Sequence, residues 1–201
     1  MPVPEFSLLL PDGFLTLPAR ELDETGFRAL AAAVADRFGL DGEIDQGLAE
    51  TTVMLATTAA AARAGGSGHT SAGFFRSPDD PDRPIMVLVS CFFLESGHPS
   101  AAVVITGLRQ VHEATASGPV NVVELPVGPA VVVQSVTHSQ IPAGAGTVRI
   151  TQHGITAWIP GPDGLVGLAV TSNNTEDWAH VAELAHGIFE TFAWAGAGSQ
   201  E

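Results

Sequence analysis

The chain has 201 residues, 45% of them hydrophobic and 15% charged, with 22 acids against 8 arginines, no lysine and a net charge of −14. That balance excludes a disordered chain, and it opposes a nucleic-acid or anionic-membrane partner, because phosphate contacts need arginine and lysine. The length fits one domain whose core buries roughly 70% of the unfolded surface. The acidic surface could suit a basic partner, but the acids are dispersed rather than massed and read as a solubilising surface. A single cysteine, Cys91, excludes an intrachain disulfide and any multi-cysteine metal site.

The opening Met1-Pro2-Val3-Pro4-Glu5 carries no basic region and no long apolar run before Pro11. With no apolar run of about 18 residues anywhere, the expectation is a cytoplasmic protein. Abundant Ala, Gly and Val, with Arg always in place of Lys, point to a high-GC bacterial coding bias.

Phe6–Leu10 reads as a short strand, and Pro11-Asp12-Gly13 as a turn into a second extended piece, Phe14–Leu17. Glu24–Phe38 is a helix with Phe27, Leu30, Val34 and Phe38 on one face, closed by Gly39. A second helix, about Ile44 to Arg63, has an apolar face of Ile44, Leu48, Leu55, Ala59 and Ala62, small enough for close approach to a sheet. Gly65–Gly68 should stop it and open a loop. His69–Arg76 is a weak strand, Ser77–Arg83 a turn, and Pro84–Leu94 a strand apolar on both alternations. Such a strand is covered on both faces, by helices or by a helix and a subunit partner. Val87, Val89, Cys91 and Phe93 should lie deep in the core, as should Ile188 and Phe192.

Pro99–Ala116 holds the β-prone Val103-Val104-Ile105-Thr106, yet Ala101, Val104, Leu108, Val111 and Thr115 keep helical spacing, and a helix is expected. Four strands follow: Val120–Leu125, Pro129–His138, Thr147–Ile159 and Leu165–Ser172. Their connections are too short for a crossover, so they form an antiparallel meander. Val148 and Ile150 fall on one alternation and Ile155, Ala157 and Ile159 on the other; a β-bulge at Gly154 would unite them, and a hairpin at His153-Gly154 is the alternative. The last helix should run from Thr175 to about Trp194, capped by Asn174 or Thr175, with Glu176 and Asp177 in its first turn. Its buried stripe is Trp178, Val181, Ala185, Ile188 and Phe192. The expected organisation is a single α/β sandwich domain over 1–195, a three-layer arrangement with a largely antiparallel sheet, and a disordered tail over 196–201.

Three stretches carry a family resemblance: Phe6-Ser7-Leu8-Leu9-Leu10-Pro11-Asp12-Gly13-Phe14, Leu125-Pro126-Val127-Gly128-Pro129-Ala130, and Trp158-Ile159-Pro160 before a turn, strand and helix. With the element order, they resemble the Mog/PsbP-like α/β/α sandwich, whose bacterial relatives include LpqN-type lipoproteins and secretion-associated adaptor chaperones. The start of the sequence shows no lipoprotein signal pattern, so a lipid anchor like that of the lipoproteins is not expected. These families share no catalytic motif, so the resemblance implies a binding or adaptor role and transfers no functional residue.

Residue chemistry points the same way. His180 and His186 are six apart and do not share a helix face. His138 and His153 lie on strands that could neighbour one another, but no local carboxylate completes a set. Asp79, Asp80 and Asp82 are interrupted by proline and lack the glycine and distal glutamate of a calcium loop, so they read as a solvated turn. Gly65–Gly68 and Gly144–Gly146 lack phosphate-loop spacing. Asn173-Asn174-Thr175 matches a glycosylation triplet and reads better as a helix cap. Cys91, inside an apolar strand, reads as a packed thiol rather than a nucleophile.

The expectation is therefore no metal, no organic cofactor and no catalysis, with action through protein–protein contact at a surface that includes Phe74 and Phe75. The partner would be another protein or a second copy in a homodimer. Two alternatives stand beside it: a small enzyme or ligand-binding domain using His138 or His153, and a structural homo-oligomer.

Overall fold

The computed structural model describes residues 5–40, 45–97, 100–143, 146–161 and 164–195. In chain order the elements are β1 (Phe6–Ser7), β2 (Phe14–Thr16), α1 (Glu24–Phe38), α2 (Gln46–Ala64), β3 (Ser67–Arg76), β4 (Pro84–Glu95), α3 (Ala101–Thr115), β5 (Val120–Leu125), β6 (Gly128–Ala143), β7 (Gly146–Pro160), β8 (Gly164–Ser172), α4 (Trp178–Glu190) and β9 (Ala193–Trp194). Seven strands form one sheet in the order β2-β3-β4-β8-β7-β6-β5. Every neighbouring pair is antiparallel. The expected meander is present as the consecutive run β5 to β8.

Side chains alternate across a strand, and the two faces of the sheet hold two cores. Ile85, Val87, Val89 and Cys91 of β4 meet Val132, Ile155, Ala157, Leu168 and Val170, and α4 covers them with Val181, Ala185, Ile188 and Phe189. On the opposite face Ala72 and Leu88 pack against Leu30 and Val34 of α1 and Leu48, Leu55 and Ala59 of α2. Helix α3 lies further along that face, where His112 stacks on Trp158 with ring centroids 5.8 Å apart. The result is the three-layer α/β sandwich with an antiparallel sheet. On β4 one alternation is fully buried, but Met86, Leu88, Ser90 and Phe92 are half-buried, because α2 and α3 leave part of that face open.

Several boundaries differ from the sequence reading, each for a local reason. The first strand stops at Ser7: it pairs with Ala193-Trp194, and beyond it the main chain of Leu9 is held by the Thr191 hydroxyl, which accepts from Leu9 N and donates to Leu9 O at 3.1 Å each. Helix α4 accordingly ends at Glu190, four residues early, and Trp194 belongs to a strand. Gly65 and Gly66 alone connect α2 to β3; the expected loop at Ser67-Gly68 is already strand, with a register shift between Ser67 and His69. Helix α3 is rolled from the expected stripe: Val104 is buried, but Val111 is 61% exposed and His112 faces the sheet instead. Phe93, near the end of β4, is half-buried rather than deep, while Ile188 and Phe192 are deep. The start of the second helix at Ile44 and the 196–201 tail lie outside the described residues.

No bulge or hairpin occurs at Gly154: it sits in register between Ser135 and Thr171. The two apolar sets stay on opposite faces because β7 outruns the sheet. Strands β6 and β7 pair from Val131/Trp158 to Ala143/Gly146, whereas β5 borders β6 only over Gly128–Val133 and β8 borders β7 only over His153–Pro160. Residues 137–143 and 146–152 therefore form a two-stranded ribbon beyond the sheet, roughly 24 Å long at about 3.4 Å per residue. Val148 and Ile150 are ribbon residues and have no core to face.

Cys91 is 3% exposed, and burial pushes its thiol up to about 12. Native protein at pH 8 should leave a thiol reagent unconsumed, and one equivalent should react after unfolding in guanidinium. Rapid native labelling would contradict the placement of β4.

Candidate functional site: an open groove beside α1 and β3

The Asp12-Gly13 turn, the last turn of α1 and the end of β3 converge. Gly13 has φ +114°, and a Cβ there would stand 2.8 Å from the Phe75 ring and 2.9 Å from Arg37 Nη2. Both its backbone and the space around it require glycine. Arg37 uses that proximity, donating from Nε to Gly13 O at 3.3 Å and from Nη2 to Phe74 O at 3.4 Å. Helix α1 then ends on Gly39 in the left-handed region, leaving Phe38 over the sheet edge. Phe38 meets Phe74 edge-on at 5.1 Å, and Phe14 meets Phe75 at 5.4 Å.

These groups border an open groove of about 690 Å³. Its lining also takes in Thr51 and Met54 of α2, Ile85 and Met86 of β4, and Arg76, Pro81, Asp82, Pro84 and Asn174. Phe38 lies on the apolar face of α1 yet is 48% exposed, and Met54 is 42% exposed. Phe74 and Phe75 are adjacent strand residues and so point to opposite faces. Phe74 joins the α1–α2 core and Phe75 the α4 core, both half-buried, and the groove reaches both because it wraps the end of the strand. Sequence reasoning picked out these two rings from apolar excess. It missed Phe38, Met54 and the two arginines, which become neighbours only through tertiary contact.

One rim is fixed by a polar cluster the sequence did not reveal. Arg83 donates from Nε to Asp177 Oδ2 at 2.9 Å and from Nη2 to Asp177 Oδ1 at 3.1 Å, and its Nη1 reaches Glu176 Oε2 at 2.5 Å. Ser77 donates to Asp177 Oδ1 at 2.5 Å while its oxygen accepts from the Asp79 and Asp80 amides. Asp177 is fully buried, and the hydrogen bond from Arg83, then that from Ser77, holds its carboxyl below the usual range. It sits at the N-cap of α4 without capping it, since both carboxylate oxygens are taken. His180 completes the joint against Asp79 at 3.1 Å. The Asp79–Asp82 turn is thus anchored to α4 rather than simply solvated. Asn174 does not cap the helix either: it accepts from Met86 N and donates to Pro84 O, tying off the end of β4.

The histidines singled out from sequence sit elsewhere. His138 opposes Thr151 and contacts its hydroxyl at 3.1 Å; His153 stacks on Trp178 at 5.2 Å and contacts Thr175 Oγ1 at 3.2 Å. They share one face of the β6–β7 hairpin, two positions apart, and their polar partners are threonines. Among the described residues no group of three or more His, Cys, Asp or Glu side chains could hold a metal ion. Among the described residues no helix is long and apolar enough to cross a membrane.

No protein-family model matches the chain, and no curated protein matches it. It is similar to a solved structure described as LpqN, involved in cell envelope biogenesis of Mycobacterium tuberculosis, at 13% identity and a TM-score of 0.41, over 96% of this chain and 85% of that one. So distant a likeness carries no argument about function.

Proposed function

We propose that this protein is a non-catalytic binding or adaptor protein that works in the cytoplasm by holding a segment of another protein in the groove beside α1 and β3. The observation that supports this reading is the gathering of Phe38, Met54, Phe74 and Phe75 around one open cavity. Contiguous exposed apolar groups, especially aromatic ones rimmed by polar residues, characterise protein interfaces. Among the described residues the groove lining carries no histidine or cysteine, and its cations are arginines, whose planar guanidinium is always charged and suits binding more than proton transfer. A second copy of the chain is the competing occupant.

The test is affinity capture from the native cell with the tagged full chain, followed by mass spectrometry. Phe38→Ala and Phe74→Ala should each lower recovery of the captured protein about tenfold, as the loss of an aromatic anchor does. Phe38 is the cleaner probe, since its exposure leaves the core untouched; melting curves check Phe74→Ala. Undiminished recovery in both variants would remove the groove from the function. Light scattering decides the competing occupant: a dimer that Phe38→Ala converts to monomer would make the partner a second copy.

A further inference from the structure

The groove departs in charge from the rest of the chain. Among the described residues Arg28, Arg83 and Arg109 are ion-paired. Arg20, Arg37, Arg63, Arg76 and Arg149 have no ion pair among the described residues, and of these Arg37 and Arg76 converge on the groove, donating to the main-chain carbonyls of Gly13, Phe74 and Pro81. Both border the groove, where Asp82 is the one acid among the described lining residues. In a chain of 22 acids and 8 arginines, two arginines to one acid among the described lining residues are a local reversal of sign. A guanidinium bound to a carbonyl retains free N–H donors, and charge-assisted bonds to a carboxylate are the strong ones it can still make.

Resting on the reading of the groove as a protein-contact site, we infer that its occupant is an acidic–apolar peptide segment, in which a Glu or Asp stands beside a large apolar side chain. The carboxylate meets Arg37 or Arg76, and the apolar side chain packs against the exposed side of the Phe38–Phe74 pair. The groove is open to solvent, which suits a peptide segment; small-molecule sites typically enclose most of their ligand. The chain's negative field does not prevent this, because exposed charges are largely screened beyond about 8 Å at physiological salt, whereas a direct contact in the groove is screened less.

The experiment titrates the full chain against short fluorescein-labelled peptides in which Glu alternates with Phe and Leu, and against matched peptides with Gln or Lys in place of Glu, by fluorescence anisotropy. The Glu peptide should bind, the Lys peptide should not, and raising salt should weaken the Glu complex. Arg37→Gln and Arg76→Gln should each weaken it about tenfold, with melting curves confirming that both variants fold. Equal binding of the Glu and Gln peptides, or unchanged affinity in both arginine variants, would overturn the inference. The broader reading survives that result if Phe38→Ala still abolishes binding, and fails with it if Phe38→Ala changes nothing. Binding of dodecanoate with no peptide binding would assign the groove to a small amphiphile and also overturn the inference.

Discussion

Phe189→Ala should destabilise the protein by about 3–5 kcal/mol, the range for removing a buried aromatic ring. Phe189 is 0% exposed and sits on α4 where that helix meets the central sheet, among Val181, Ala185, Ile188 and Phe192. Removing the ring loses its transfer free energy and leaves a cavity that the β-sheet, fixed by its ladders, cannot close. For a chain near 200 residues each kcal/mol corresponds to about 2–4 °C in Tm, so a fall of roughly 6–20 °C is expected. Phe38→Ala is the internal control: at 48% exposure it should move Tm far less. A Phe189→Ala melt within about 2 °C of the parent would mean that α4 does not carry the core on that face.

The contrast between Phe189 and Phe38 also shows what a sequence can reveal. Both rings occur in helices with good periodicity, and the pattern puts Phe38 on the apolar face of α1 but leaves Phe189 off the stripe of α4. Periodicity identifies a face but not where that face runs off its support. Phe38 is the last residue of α1 and overhangs the sheet, whereas Phe189 is near the end of a helix whose sheet continues beneath it. The meander was legible because its turns are too short for anything but antiparallel pairing. Strand lengths were less so: the β6–β7 ribbon continues past β5 and β8, and neither register nor overhang is written in alternation alone.

The site was legible only in part, for a related reason. Phe74 and Phe75 stood out as apolar residues on a weak strand, but their neighbours Arg37 and Met54 come from helices some 20 or more residues upstream. The Ser77–Arg83–Asp177 cluster joins groups 94 and 100 residues apart. Each half looked like ordinary loop chemistry, a Pro-Asp turn and an acidic helix start, and each was read as such. A long-range ion pair leaves no local signal, because either partner is equally plausible solvated. Helix caps misled similarly: Asp177 occupies the capping position but uses its carboxylate elsewhere.

That cluster should be the acid-sensitive joint of the fold. The hydrogen bonds from Arg83 and then Ser77 lower the Asp177 carboxyl in the folded state. A group with a depressed folded value contributes stability that is present above its unfolded value, near 3.9, and is lost as pH falls through the folded one. Urea midpoints of the parent should therefore decline as pH drops below about 4. Asp177→Asn keeps the shape but removes the charge, leaving Arg83 facing a neutral amide and Ser77 with a weaker acceptor. Its midpoint at pH 7 should fall further than that of Glu24→Gln, which removes an exposed pair on α1. Below pH 4 parent and variant should converge, since protonation makes the parent resemble the variant. The same loss should loosen the Ser77–Arg83 turn against α4, shown by faster hydrogen exchange at Asp79 and Asp80, whose amides bond to Ser77. Parallel midpoint curves, separated equally at pH 7 and below pH 4, would mean that the Asp177 charge contributes nothing to the joint.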